Sequence, residues 1–135
     1  MNIDELKRSL NEAKGKCKPK AIVVINPGNP TGSVLTKKNI EDIIHFAKEN
    51  KILIIADEVY QHNIWDGEFF SFKKILNELN EDIELASVMS ASKGYMGECG
   101  LRGWFFLTYN IYLHHGIPSF IIHLKCFIFF HRWLL

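Results

Sequence analysis

Three short apolar runs, each preceded by a stretch of helical periodicity, constrain this chain more than any other feature in it. Ala21-Ile-Val-Val-Ile25 and Ile52-Leu-Ile-Ile-Ala56 are too short for helices and rich in β-branched residues, which is the pattern of a buried strand. Glu84 to Met89 is a third, weaker run. Ahead of the first, Ile3, Leu6, Leu10 and Ala13 recur at helical spacing and Gly15 ends the pattern, so residues 3–14 read as an amphipathic helix. Thr36 caps a second helix with Ile40, Ile43, Ile44 and Ala47 inward, ending near Asn50. Ser71 caps a third helix through Leu79, with Phe72, Ile75 and Leu76 inward. This alternation predicts an α/β fold, a helix-flanked, mostly parallel sheet covered on both faces.

Parallel strands all end on one edge, and ligands of open α/β sheets bind beyond those carboxyl ends. Three polar clusters fall there. Asn26-Pro-Gly-Asn-Pro-Thr-Gly32 follows the first run and, with two Pro and two Gly in seven residues, must be a loop. Asp57 to Tyr60 follows the second run, and Ser90-Ala-Ser-Lys-Gly-Tyr95 the third. An amide, a carboxylate, a phenol, hydroxyls and an amine therefore share one rim, enough for chemistry on a small, electron-poor, phosphorylated cofactor. Lys93 is the candidate nucleophile, because a lysine amine forms Schiff bases with carbonyls when desolvation or a neighbouring cation keeps it neutral. Each residue also has a plainer reading: Lys93 as a solvated loop lysine, Asp57 as a strand-end carboxylate, Asn29 as a turn residue, Tyr60 as a packing aromatic, Arg102 as a surface charge.

Several function classes fail on the residues present. Ile52-Leu-Ile-Ile-Ala-Asp-Glu58 has the form of a Walker B strand, but the Gly-x-x-x-x-Gly-Lys-[Ser/Thr] loop it needs is absent, Gly32 being followed by Ser33. A dinucleotide-binding glycine fingerprint is also missing after Ile25. With 16 Lys+Arg against 15 Asp+Glu, the chain has no basic footprint for nucleic acid. Cys17, Cys99 and Cys126 form no C-x-x-C pair and no Cys/His ligand spacing, so neither a disulfide framework nor a metal site is expected. Asp4 and Glu5, without an apolar run beside them, do not make a secretory signal. Residues 1–103 are expected in a reducing, soluble compartment.

In their order and spacing, Asn26-Pro-Gly-Asn-Pro-Thr-Gly32, Ala56-Asp-Glu-Val-Tyr-Gln61 and Ser90-Ala-Ser-Lys-Gly-Tyr95 resemble the fold-type I pyridoxal-phosphate aminotransferases. Gly94-Tyr-Met-Gly-Glu-Cys-Gly-Leu-Arg-Gly103 narrows that resemblance to the alanine aminotransferases. The likeness covers residues 3–103 and implies a central piece of the family's large domain, with pyridoxal 5′-phosphate as cofactor. It implies an amino acid and a 2-oxo acid as substrates, L-alanine and 2-oxoglutarate giving pyruvate and L-glutamate, and a homodimer with its sites at the subunit interface. Lys93 would carry the cofactor as a Schiff base and, once released, move a proton between the amino acid's α-carbon and the cofactor's C4′. Asp57 would pair with the pyridine nitrogen and keep it protonated. Asn29 and Tyr60 would hydrogen-bond the ring's 3′ oxygen. Ser90 and Arg102 would hold the phosphate, with Ser92 a further candidate beside the lysine. A different aminotransferase or a lyase of the same fold type is the alternative sharing this rim. The expected compartment is cytoplasmic, with a mitochondrial one as the alternative.

Composition breaks at about Gly103. Residues 1–103 carry 14 basic and 15 acidic residues, whereas 104–135 carry Lys125 and Arg132, no acid, and 10 of the 17 aromatics. In the family pattern another Gly and a further strand would follow Gly103; here Trp104-Phe-Phe-Leu-Thr-Tyr109 follows, without a helical or alternating stripe. A membrane span needs roughly 20 predominantly apolar residues, and Asn110, His114, His115, Gly116 and Pro118 interrupt this one, so no membrane partner is expected. The expected division is 1–103, part of the cofactor-binding large domain, and 104–135, an aromatic tail unlike the family. The tail reads as a missequence, such as an intron read through or a shifted frame. On that reading the chain as written is an inactive fragment; a membrane-tethered, degenerate non-enzyme is the remaining alternative.

Overall fold

The computed structural model describes residues 2–100, 103–109 and 126–130. Helix α1 spans Ile3–Lys14 and starts at Asn2, whose side chain accepts from the Asp4 N–H at 2.9 Å. Asp4 and Glu5 in its first turn and Lys14 in its last complement the helix dipole. Helix α2 spans Lys37–Asn50. The Thr36 hydroxyl accepts from the Asn39 N–H at 3.2 Å while the Asn39 side chain accepts from the Thr36 N–H at 3.4 Å, a reciprocal cap. Helix α3 spans Phe72–Leu79, with the Ser71 hydroxyl accepting from the Lys74 N–H at 3.1 Å. Both capping residues are those expected from the sequence.

Five strands form one sheet in the order β1-β2-β3-β4-β5: β1 is Ala21–Ile25, β2 Leu53–Asp57, β3 Leu85–Ser90, β4 Gly103–Tyr109 and β5 Cys126–Phe130. The first three are parallel, with Ile25 opposite Asp57 and Asp57 opposite Val88. Their carboxyl ends therefore align on one edge, as the alternation of helices and strands requires. Strands β4 and β5 continue the sheet antiparallel, Ser90 lying opposite Trp104 and Phe105 opposite Ile128. They arise in the segment that shows no periodic stripe, because a backbone ladder needs paired donors and acceptors rather than alternation.

The core lies on one face of the sheet. Val24, Ile54, Ala56 and Leu85 of the strands are buried against Ile40, Ile43 and Ile44 of α2 and Phe72, Ile75 and Leu76 of α3. Each fully buried Val, Leu, Ile or Phe side chain of this kind contributes about 1.5–3 kcal/mol. Ile3, Leu6 and Leu10 of α1 pack half-buried against the same cluster. The expectation of a sheet covered on both faces is not met among the described residues: Val23 and Ile25 of β1, on the opposite face, remain 62% and 45% exposed. The physical reason is that α1 adds to the layer of α2 and does not cross the sheet. Among the described residues no helix is long and apolar enough to cross a membrane, and no group of His, Cys, Asp or Glu could hold a metal ion.

Candidate active site

The first polar cluster is a loop closed on itself. Asn26, fully buried, accepts from the Leu35 N–H at 2.9 Å through Oδ1 and donates its own N–H to Asp57 O at 3.0 Å. Gly28 N–H bonds Ser33 O and Gly32 N–H bonds Gly28 O, both at 2.9 Å. The turn is so tight that a Cβ on Gly28 would stand 3.0 Å from Thr31 Oγ1 and 3.1 Å from Ser33 Oγ. This leaves Asn29 exposed at the tip, where its Nδ2 donates to the Tyr60 hydroxyl at 3.1 Å. Two residues 31 positions apart thus meet across the carboxyl ends of β1 and β2.

The second cluster begins with two acids of opposite fate. Asp57 ends β2 on the sheet face away from α2 and α3, is half-buried, and accepts from the Val59 N–H at 3.3 Å. Glu58 points the other way and is 5% exposed. Its Oε1 accepts from the Phe72 N–H at 2.8 Å, and its Oε2 from the Ser87 hydroxyl. Burial pushes the Glu58 carboxyl above the usual glutamate pKa; the bonds from Ser87 and Phe72 oppose that shift and the neighbouring Asp57 charge adds to it. The sequence places Glu58 within the Asp57 to Tyr60 cluster and assigns it no role of its own. Its signal was present: two residues after an inward Ala56, period two returns a carboxylate to the helix face.

The third cluster is a turn tied to β4. The Ser90 hydroxyl donates to Gly103 O at 3.3 Å and accepts from the Ser92 N–H at 3.1 Å. Ala91 N–H bonds Gly103 O at 2.9 Å, and Cys99 Sγ contacts Ser92 O at 3.2 Å. Lys93 lies exposed in this turn, with its carbonyl accepting from the Gly97 N–H at 3.3 Å. Gly94 follows at φ +60°, and a Cβ there would stand 3.2 Å from Val59 O and 3.6 Å from His62 Cδ2. The Lys93 turn therefore rests directly on the backbone that follows Asp57. The His62 and Tyr95 rings add an edge-to-face contact with centroids 6.5 Å apart.

Of the residues singled out from the sequence, Asn29 and Tyr60 are in direct contact, and the Lys93 turn packs on the residues after Asp57. Ser90 and Ser92 lie on the same edge, the Ser92 N–H bonded to the Ser90 hydroxyl and that hydroxyl to Gly103 O of β4. Arg102 lies outside the described residues.

Residues 1–112 match the family described as aminotransferase class I and II. The chain belongs to that family. The match takes in all three rim clusters and runs past Gly103 through β4. This aminotransferase chain is 51% identical over 117 residues to alanine aminotransferase 2 of Xenopus tropicalis, covering 82% of its own length and 22% of that protein's. It is 50% identical over 117 residues to alanine aminotransferase 1 of Bos taurus, covering 82% of itself and 24% of the relative. A solved alanine aminotransferase from Pyrococcus furiosus superposes with a TM-score of 0.58 at 34% identity, over 74% of this chain and 24% of that one. The chain thus spans about a quarter of the length of the relatives it matches. Its three parallel strands and flanking helices are part of the large domain of a fold-type I aminotransferase.

Proposed function

We propose that this chain supplies the cofactor-holding rim of an alanine aminotransferase, which moves an amino group from L-alanine to 2-oxoglutarate to give pyruvate and L-glutamate. The observation that carries the proposal is the convergence of Asn29, Tyr60, Asp57 and the Lys93 turn on one strand edge. The chemistry of that set fits pyridoxal 5′-phosphate: a carboxylate for a ring N–H, two donors for a phenolic oxygen, and an amine for an aldehyde. When bound, the cofactor supplies a protonated pyridine ring that takes up the electron pair left on the substrate's α-carbon.

The chain's own residues do the rest. Asp57, facing away from the helices, holds the proton on the ring nitrogen. The Tyr60 oxygen accepts from Asn29 Nδ2, so its own hydrogen and the second Nδ2 hydrogen are both left for a ligand oxygen. Lys93 Nζ takes the proton from the amino acid's α-carbon, a role in which a positioned base contributes roughly 10²–10⁴-fold. The bond from the Ser92 N–H to the Ser90 hydroxyl stiffens the approach to that amine. Ser90 and Arg102 hold the phosphate, Arg102 by its charge and planar fork. The bond from the Ser90 hydroxyl to Gly103 O is long, 3.3 Å, and easily exchanged for a phosphate oxygen. The working unit is a homodimer in the cytoplasm, and the tail expected over 104–135 narrows to residues 113–135, beyond the family match at 1–112, as the part foreign to the catalytic domain. Transcript sequencing across codons 104–135 tests the last point; an uninterrupted frame sinks it.

The decisive experiment replaces the matching segment of the Bos taurus enzyme with residues 1–103. The chimera is treated with pyridoxal phosphate and borohydride, then mapped. The expected result is an adduct on Lys93 and alanine-dependent pyruvate formation, both abolished by Lys93→Ala. A folded chimera labelled elsewhere refutes the assignment. Residues 1–135 alone are expected to form no pyruvate.

A further inference from the structure

We propose that Glu58 is a positioning residue: it clamps the carboxyl end of β2 to α3 and β3, so that Asp57 presents its carboxylate to the rim in one orientation. The inference rests on the reading of Asp57 as the partner of the ring nitrogen.

Asp57 has little to hold it. The bond it accepts from the Val59 N–H is 3.3 Å long, and its face of the sheet is open at the neighbouring β1. Its direction is therefore inherited from the backbone on either side. On the β1 side that backbone is tied by Asn26 N–H to Asp57 O at 3.0 Å, and on the β3 side by Glu58 N–H to Val88 O at 3.0 Å. These two bonds fix the strand end laterally and leave it free to twist.

The Glu58 side chain supplies the missing restraint. One oxygen meets the first N–H of α3, at Phe72, which has no partner within the helix. The other meets the hydroxyl of Ser87 on β3, directly across the ladder from Ala56. A single carboxyl thus joins a strand end, a helix start and the next strand, inside a core where each bond is hard to replace by water. The same residue opens the following turn, its carbonyl accepting from the Gln61 N–H at 3.0 Å. That turn carries Tyr60 to its contact with Asn29. Since consecutive strand residues face opposite ways, an anchor on Glu58 sets the direction of Asp57 without touching the ligand.

The test begins with the labelled 135-residue chain. Three-bond couplings across χ1 of Asp57 are expected to report one rotamer in the wild type and in Glu58→Gln. Glutamine keeps an acceptor for Phe72 N–H and can donate to Ser87 Oγ. In Glu58→Leu the Asp57 couplings are expected to collapse to averaged values. Should the leucine variant fail to fold, Ser87→Ala decides, with partial averaging expected. A lowered melting temperature with wild-type Asp57 couplings would overturn the proposal, because it would make Glu58 structural only.

A second readout uses the Bos taurus chimera. Its preference for pyridoxal phosphate over the analogue with carbon in place of the ring nitrogen should fall about tenfold in Glu58→Leu, the loss expected of one charge-assisted hydrogen bond. A general loosening would weaken both ligands alike and leave the preference unchanged, which again overturns the proposal. Asp57→Asn should erase the preference. If it does not, the ring-nitrogen reading fails on its own, and the couplings still decide whether Glu58 orients Asp57.

Discussion

Gly94 is where the fold and the proposed chemistry constrain each other most tightly, and replacing it with alanine separates two costs. Gly94 sits at φ +60°, where an L side chain costs about 1–2 kcal/mol. Its new Cβ would also stand 3.2 Å from Val59 O. That oxygen belongs to the main chain and cannot rotate aside, so the turn must move away from the residues after Asp57, adding about 1–3 kcal/mol of overpacking strain. Gly97 is the control three residues on. It has φ +56°, with nothing within 4 Å of its would-be Cβ, and so bears only the first cost. Urea unfolding followed by circular dichroism should give a loss of about 1–2 kcal/mol for Gly97→Ala and about 2–5 kcal/mol for Gly94→Ala. Because Lys93 precedes the displaced residue, the chimera carrying Gly94→Ala should also lose borohydride-trapped label on Lys93, whereas Gly97→Ala should retain it. Equal destabilisation by the two substitutions refutes the close approach of the turn to Val59, and with it the proposed setting of Lys93.

Three further outcomes are expected. Thr36→Ala should cost about 1 kcal/mol in the same unfolding assay, and Thr36→Ser close to nothing, since the hydroxyl supplies the cap of α2; equal losses would refute the capping argument. Tyr60→Phe should leave stability within about 0.5 kcal/mol but weaken pyridoxal phosphate binding by the chimera, because among the described residues the hydroxyl bonds only the exposed Asn29; unchanged affinity removes Tyr60 from the site. For Glu58, burial raises the folded-state pKa, so folding favours the protonated acid. Below the unfolded glutamate value of about 4.3 both states hold the proton; as pH rises past it the unfolded state releases first, and stability falls until the raised folded value is passed. Glu58→Gln lacks that slope, so its urea midpoint should gain on the wild type across the same window, and parallel curves would refute the shift.

Local signals made the helices and parallel strands legible. Thr36 and Ser71 cap α2 and α3 where their side chains predict it, because a cap depends on residues within one turn of it. Strand order made the site legible as a place: parallel pairing brings Asn29, Asp57, Tyr60, Ser90, Ser92 and Lys93 to one edge whatever their side chains do. What escaped was decided by distant pairing. An apolar stripe on α1 says that it packs, not on which side of the sheet, so the open face at Val23 and Ile25 could not be read. The Ser90 hydroxyl is engaged by Gly103 O, a partner that exists only once β4 folds back antiparallel on β3.

The Asp57-Glu58 pair shows how a strand end turns adjacent, chemically similar residues into different functions. Strand β2 lies between β1 and β3, and Asn26 N–H and Glu58 N–H pin its end from opposite sides. That fixes the register, and a slip of one residue would exchange the two faces. Asp57 would then be driven into the core beside Phe72, one methylene too short to span to both the helix N–H and Ser87. Glu58 would reach the rim with an extra rotatable bond and no anchor. The longer acid belongs inside because three elements must be bridged there. The shorter belongs outside, where fewer torsions make a carboxylate easier to hold in one direction. The rim's chemistry at Asp57 is therefore inseparable from a packing interaction on the opposite face of the same strand.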